Sequence, residues 1–423
     1  MSRTDLRAIL AIAAAAFALR AGTALLTEFN PIFPAYYYAD SDFSDHYARE
    51  TTRAWSRGEK ANLSYSPPQR VHILFTALIY RAVGPRPMGP KLANCLAAAL
   101  GVAAFGLLSG RLFGPRAGTA SAFLLALWPS HVFYTSQNFK EGLVCGVLMC
   151  TLLLLMPGDD APRGHRHYEI VAGVALLVLL GLFRSYVMII SAAAIAGAAA
   201  TALILRNGQR GTAAWALAAC LAAPFIFQLS LRSLILGPLA PSVAGPTSES
   251  ILIPIITDPG SGENHKPLSP RGISEFRRLR QHSDRVYAKG HSGREIGTQL
   301  FPQALMKSWL DVLLFIPKSS FHVLFMPLPG LYPLEGKPGR ILAAVENLAL
   351  LAIFVLGLTS AARGGLKPHR LGLLLFFAVM TAGSSLLEFD LGSAGRHKLM
   401  YLPMLFPFAA EEALRLAGRR RTA

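Results

Sequence analysis

Three carboxylates, Asp40, Asp42 and Asp45, fall within six residues in the stretch Tyr38-Ala39-Asp40-Ser41-Asp42-Phe43-Ser44-Asp45-His46-Tyr47. They follow directly on the first long apolar run of an otherwise greasy and basic chain. A carboxylate fixed beside a bilayer can serve as general base toward a substrate presented by a lipid. Asp40-Ser-Asp42 is also a DxD, a spacing that can hold a divalent cation such as Mg or Mn. Two plainer readings compete. The acids can simply solvate a loop, and Asp42 and Asp45 ahead of Tyr47-Ala48 suit a helix start, where negative charge meets the helix dipole favourably.

Cations of interest stand at three further points. Ser136-Gln137-Asn138-Phe139-Lys140-Glu141 places Lys140 where one apolar run surfaces and the next begins. Arg184 and Tyr186 lie between two later runs, and Arg396-His397-Lys398 follows Glu388 and Asp390 just before the last. A base for an acceptor hydroxyl and cations for a departing phosphate are what transfer from a lipid phosphate requires. Lys140 also reads as an interface lysine that snorkels.

The elements that must position these residues are membrane spans. Of 423 residues 52% are hydrophobic and only 15% charged, against about 25% charged in soluble domains. The net charge of +17 does not indicate nucleic acid, because the basic residues sit in short clusters between apolar runs rather than along one stripe. Cys95, Cys145, Cys150 and Cys220 all lie inside apolar runs without a CxxC, and read as small buried hydrophobes. Leu6 to Leu26 is too long for a cleavable signal and reads as a retained first span.

Apolar runs of spanning length recur near 7–26, 92–112, 117–136, 141–157, 168–184, 186–205, 212–231, 341–361, 371–388 and 399–417. With the N-terminus inside, every inner connection is short and basic: Arg111 and Arg116, Arg163 and Arg166, Arg206 and Arg210, then Arg363, Lys367 and Arg370, and finally Arg415 and Arg419 to Arg421. The expectation is an all-α polytopic bundle of about ten spans with both termini cytoplasmic. Segments 27–91 and 232–340 then fall outside, dividing the chain into an N-terminal module 1–231, a large outer loop 232–340 and C-terminal helices 341–423. Lys140, Arg184 and Arg396 to Lys398 then stand on outer hairpins against the charge bias, which marks them as candidates for holding an anion.

The outer segments carry interfacial pieces. Val71 to Val83 is too short to span, Ser274 to Lys289 is a basic helix candidate, and Pro302 to Ile316 is an amphipathic one ending at Pro317. Tyr36, Tyr37, Tyr38 and Trp55 suit a headgroup-level belt. His165-Arg166-His167 reads as a solvated basic loop, Asn62-Leu63-Ser64 fits a glycosylation sequon, and Glu411-Glu412 can pair with Arg415 one turn on.

Several motifs in order resemble a known family. They are Ser66-Pro67-Pro68 with Ile73 to Gly84, Lys91-Leu92-Ala93-Asn94 through Gly110-Arg111-Leu112-Phe113-Gly114, Leu127-Trp128-Pro129-Ser130-His131, and Gly395-Arg396-His397-Lys398 with Leu402-Pro403 and Pro407. Together with Ser136 to Glu141 they resemble family-39-type glycosyltransferases, the protein mannosyltransferases and lipid A aminoarabinose transferases with the GT-C fold. The likeness covers residues 1–190 and the last forty; nothing in 232–340 matches. The resemblance implies a polyprenyl-phosphate-linked sugar donor, a lipid, glycan or protein acceptor, transfer on the outer face of a bacterial inner membrane, a catalytic acid in the first outer loop, and basic groups for the leaving phosphate. Members commonly carry an Asp-Glu pair in that loop where this chain has Asp40-Ser-Asp42 and Asp45. Asp42 ranks first as base, then Asp40 and Asp45, with Arg396, His397, Lys140 and Arg184 as phosphate ligands. A polysaccharide polymerase or ligase, using Arg and His in 271–294, would not need the acidic loop. A transporter would need ionisable groups inside spans, of which Glu346 is the notable case.

Overall fold

The computed structural model describes residues 2–33, 38–61, 67–157, 166–205, 210–227, 269–292, 298–332, 338–365 and 367–419. The sequon at Asn62, Tyr36, Tyr37, His165 and the opening of the large loop lie outside the described residues. The protein is an all-α polytopic membrane protein; among the described residues the sole β feature is an isolated bridge between Gln299 and Asp390.

In chain order the helices are α1 (Arg3–Phe29), α2 (Ala39–Ser56), α3 (Pro67–Val83), α4 (Met88–Phe113), α5 (Pro115–Leu127), α6 (Pro129–Ser136), α7 (Glu141–Leu155), α8 (Arg166–Phe183), α9 (Ser185–Ile204) and α10 (Arg210–Ile226). They continue with α11 (Pro270–Ser292), α12 (Trp309–Phe325), α13 (Pro338–Arg363), α14 (Pro368–Leu387), α15 (Leu391–His397) and α16 (Phe406–Arg419), with 3-10 turns at Lys398–Met400 and Leu402–Leu405. Two compact units emerge: one from Met1–Val243, Ile353–Phe377 and Leu402–Ala423, the other from Ala244–Ala352 and Ala378–Tyr401.

Among the described residues five helices are long and apolar enough to cross a membrane: α1, α4, α9, Gly339–Arg363 within α13, and α14. A sixth span arises if α6 and α7, bent by 115°, count as one. The expected ten runs divide from this set for visible reasons. The run 117–136 is cut at Trp128-Pro129 into α5 and α6. The run 399–417 is two 3-10 turns followed by an amphipathic 14-residue helix. The described apolar parts of α8 and α10, Tyr168–Phe183 and Ala213–Ile226, are shorter helices.

In the first unit, small residues let helices approach closely. A Cβ on Gly146 of α7 would lie 2.4 Å from the Ala97 carbonyl of α4, and one on Gly118 of α5 would lie 2.6 Å from the Gly110 backbone of α4. Such contacts replace the hydrophobic drive that lipid does not supply between helices. The cut at Pro129 is repaired by Arg20, fully buried in α1. Proline brings no N–H, so the Leu125 carbonyl four residues back loses its helical donor. Arg20 donates to the carbonyls of Leu125 and Ala126 at 3.2 and 3.1 Å, to Thr135 Oγ1 at 2.9 Å, and to His131 Nδ1 at 2.8 Å. A span interrupted in this way is tolerated because neighbouring side chains satisfy the freed backbone.

In the second unit, Arg277 of α11 is 1% exposed and gathers carbonyls. It donates to Leu386 and Glu388 at 3.0 and 2.6 Å and to Leu300 at 2.9 Å. The amphipathic piece expected over 302–316 begins as helix only at Trp309, where Ser308 and Asp311 form a reciprocal cap. It continues through Pro317, which was expected to end it, and runs to Phe325.

Candidate functional site

The acidic stretch is the start of a helix, and this decides which carboxylates act together. Residues two apart on a helix point to different sides, whereas those three or four apart share a face. Asp40 and Asp42 therefore do not converge, and among the described residues no group of three or more His, Cys, Asp or Glu side chains could hold a metal. The DxD spacing thus offers no metal-ligand set in this helical form. Asp42 and Asp45 share a face.

Their surroundings differ. Asp45 accepts from Arg49 Nε at 2.7 Å through one oxygen and from the Tyr80 hydroxyl through the other. Arg49 also lies over the Tyr80 ring, 5.5 Å from its centroid. Burial, then the Asp45 contact, pushes the Tyr80 phenol well above its ordinary range, so it remains a donor. Asp42, one turn earlier, keeps an exposed side. Desolvation on its protein side pushes its carboxyl above the usual range; Lys91 pulls it back, while the charges of Asp45 and Glu28 add to the rise. A carboxylate held above its ordinary pKa is a stronger base while its solvent side still admits a substrate. Asp40 is exposed, and its backbone carbonyl accepts from Ser44 Oγ at 2.9 Å.

Glu28 was not singled out from the sequence, and Lys91 entered only as the first residue of the Lys91-Leu92-Ala93-Asn94 motif. Glu28 ends α1 and Lys91 opens α4, and their side chains pair at 2.7 Å with Lys91 buried. The pair joins the two helix ends that flank α2 and α3. The signal available was a lone acid closing the first apolar run and a lone lysine opening the second; their meeting across 63 residues is a tertiary fact.

The turn between α6 and α7 is held from three sides. Asn94 Nδ2 of α4 donates to the carbonyls of Gln137 and Phe139, both at 2.8 Å. Gln137 Nε2 donates to Thr27 Oγ1 of α1 at 2.9 Å, and His72 Nε2 of α3 donates to the Asn138 carbonyl at 3.1 Å. Burial keeps His72 neutral, its pKa pushed down to about 4. Lys140 caps α7 at the end of this turn, half-buried and near enough to His72 to lower its proton affinity further.

Arg184 is committed elsewhere in the same unit. It donates to Glu141 Oε1 at 2.6 Å and to the Tyr186 hydroxyl at 2.8 Å, and the Arg184–Glu141 pair is buried. Its charge is matched within the protein by Glu141. Tyr38 and Trp55, read as belt residues, pack inward: Tyr38 meets the Phe133 ring at 5.8 Å, and Trp55 rests on the cluster of Ala48, Ile73, Ala77 and Tyr80.

In the second unit, Arg396 and His397 occupy the last turn of α15, whose cap is Asp390. His397 Nδ1 contacts the Glu388 carboxylate, and Arg396 is half-buried. Lys398 is buried, donates to Asn347 Oδ1 at 2.6 Å, and has its ammonium pKa lowered by desolvation against the opposing pull of Glu346.

No protein-family model matches the chain, and no curated protein matches it. Among solved structures, it is similar to ArnT from Cupriavidus metallidurans bound to undecaprenyl phosphate, at 15% identity and a TM-score of 0.36, over 92% of this chain and 78% of that one. The apo state of the same protein gives 15% identity and a TM-score of 0.36, over 87% and 72%. It is also similar to the archaeal oligosaccharyltransferase AglB from Archaeoglobus fulgidus, in complex with an inhibitory peptide and a dolichol-phosphate. That match has 13% identity and a TM-score of 0.48, and covers 97% of this chain and 50% of the other.

Proposed function

We propose that the protein is a membrane glycosyltransferase of the GT-C type. It moves a sugar from a polyprenyl-phosphate donor to an acceptor hydroxyl on a lipid, glycan or protein, with Asp42 as general base. One observation carries the reading. Of the three first-loop carboxylates, Asp45 has both oxygens engaged, while Asp42 is raised in pKa, open on one side, and within the influence of Lys91, which pairs with Glu28. The motif order from Ser66 to Pro407 supports the same class.

In this reading Asp42 takes the proton of the acceptor hydroxyl as the sugar carbon leaves its phosphate. Positive charge stabilises that phosphate as it departs. Arg396 is the preferred ligand because its planar fork grips phosphate bidentately; Lys140 and His397 assist. Arg184 contributes chiefly by fixing Glu141, given its buried pair. The polymerase or ligase alternative loses one of its cations, since Arg277 spends its donors on backbone carbonyls.

Orientation belongs to the proposal: the protein sits in a bacterial inner membrane with both termini cytoplasmic and 27–91 and 232–340 outside. A cysteine placed near position 265 should label from the outer side and one near 208 should not. The chemistry is tested with reconstituted protein and a panel of undecaprenyl-phosphate sugars, following release of undecaprenyl phosphate by mass spectrometry. Asp42→Asn should lower turnover by about 10²–10⁴-fold at unchanged protein level. Arg396→Ala should cost about 10²–10³-fold in kcat, with Arg396→Lys recovering part. Undiminished release in all three single Asp-to-Asn variants would end the proposal.

A further inference from the structure

We propose that a groove in the second unit, between residues 301–306 and α12, binds an anionic phospholipid of the adjoining leaflet, with the lipid phosphate at Lys318 and an acyl chain along Leu305 and Phe315. The inference does not depend on the transferase reading.

Depth is the first argument. Ser319 Oγ of α12 donates to the Ser385 carbonyl at 2.7 Å. Ser385 lies two residues from the end of α14, a helix long and apolar enough to cross a membrane. At about 1.5 Å per residue, that contact is roughly 3 Å from the end of the span. Lys318, the next residue to Ser319, therefore stands where hydrocarbon gives way to headgroups.

The second argument is the face that α12 leaves uncovered. Trp309, Leu310, Leu313 and Leu314 are 56%, 63%, 64% and 68% exposed. Their spacing makes them one stripe, on the side away from the buried Val312, Ser319 and Val323. A contiguous stripe of this kind marks a contact surface rather than a water-facing one, and in a membrane protein its natural partner is lipid.

Shape and charge select the lipid. The groove beside the stripe encloses about 530 Å³, within the roughly 300–1,000 Å³ usual for ligand sites. Its walls include Phe301, Leu305, Met306 and Phe315, with Asp311 and Lys318 as its charged residues. Asp311 stays charged within the helix cap: its Oδ2 accepts from the backbone N–H groups of Lys307 and Ser308 at 2.9 and 2.8 Å, bonds that hold its carboxyl below the usual range and fix it at the far end of the groove from Lys318. Lys318 lies seven residues further on, about 10 Å along the helix. It is exposed, stands over the Phe301 ring at 5.3 Å, and pairs with no carboxylate among the described residues. Arg271, Arg278 and Arg280 are exposed on α11 in the same unit, adding positive potential. An apolar groove at headgroup depth with one uncommitted cation suits a lipid that pairs an acyl chain with negative charge.

Trp309 serves as the reporter. Full-length protein is placed in nanodiscs of phosphatidylcholine doped with either brominated phosphatidylglycerol or brominated phosphatidylcholine. Subtracting the signal of Trp309→Phe isolates Trp309 from the other three tryptophans of the chain. Both brominated lipids should quench Trp309, the anionic one at about fivefold lower mole fraction. Lys318→Gln should bring the two lipids to parity while leaving quenching by phosphatidylcholine intact, and Lys318→Arg should keep the preference. Parity in the wild type, or an undiminished preference in Lys318→Gln, would overturn the site. Absence of Trp309 quenching by either lipid would overturn both the site and the lipid-facing stripe.

Discussion

Arg20→Met removes the side chain that repairs the break at Pro129. Four of its hydrogen bonds reach other helical segments, at Leu125, Ala126, His131 and Thr135. Side-chain bonds between helices in membranes average about 0.6 kcal/mol, so four give roughly 2.4 kcal/mol. Orphaning two buried carbonyls at about 1–3 kcal/mol each gives roughly 2–6 kcal/mol. Relief of a buried guanidinium that faces no carboxylate among the described residues works in the opposite direction. The net expectation is a loss of about 2–3 kcal/mol, read from reversible unfolding in mixed detergent and SDS micelles. Pro129→Ala restores an N–H that the Leu125 carbonyl can use, so part of the Arg20→Met cost should vanish in that background, a coupling of about 1 kcal/mol or more. An Arg20→Met cost below about 0.5 kcal/mol, or one identical in both backgrounds, would refute the idea that Arg20 exists to satisfy the break.

Lys91→Met should move the acid limb of the pH–rate profile upward, because Lys91 is the group that lowers the raised pKa of Asp42. The base is active when deprotonated, so activity at the acid end falls first; an unmoved limb would separate Lys91 from Asp42. Arg184→Met strands the buried Glu141 and should cost about 3–5 kcal/mol in the same unfolding assay, whereas Arg184→Met with Glu141→Leu should recover most of it. Asp45→Asn weakens its engagement with Arg49 and Tyr80 and should lower stability by about 1–3 kcal/mol, with turnover per folded molecule changed far less than in Asp42→Asn.

Local pattern carried the helices well wherever one apolar run was one element, as in α1, α4 and α9. It failed where a run concealed an interruption. The Trp128-Pro129 step was plain in the sequence, yet hydropathy over 117–136 stays high across it, because an average is blind to one missing N–H. The converse happened at Pro317, where the helix continues through a residue that usually ends one. The acidic stretch was legible as a helix start, and the helical form is what puts Asp42 on a different side from Asp40. The pairings were not legible. Glu28 with Lys91 and Glu141 with Arg184 join residues 63 and 43 positions apart. Arg184 was recognised as an unusual cation, but only tertiary structure reveals that its charge answers a buried acid.

The reach of Arg277 has a consequence for biosynthesis. Its partner carbonyl at Glu388 is 111 residues further along the chain. At about 5–20 residues per second, a ribosome needs roughly 5–20 s to deliver that partner after Arg277 has been made. During that interval α11 exists with its central guanidinium unsatisfied by the contacts that later enclose it, and the two spans in α13 and α14 must insert before the enclosure can form. Assembly of the second unit is therefore timed by the arrival of the last hairpin. A chain truncated just before Ser385 would carry every residue of α11 and α12 and still lack the lock that holds them.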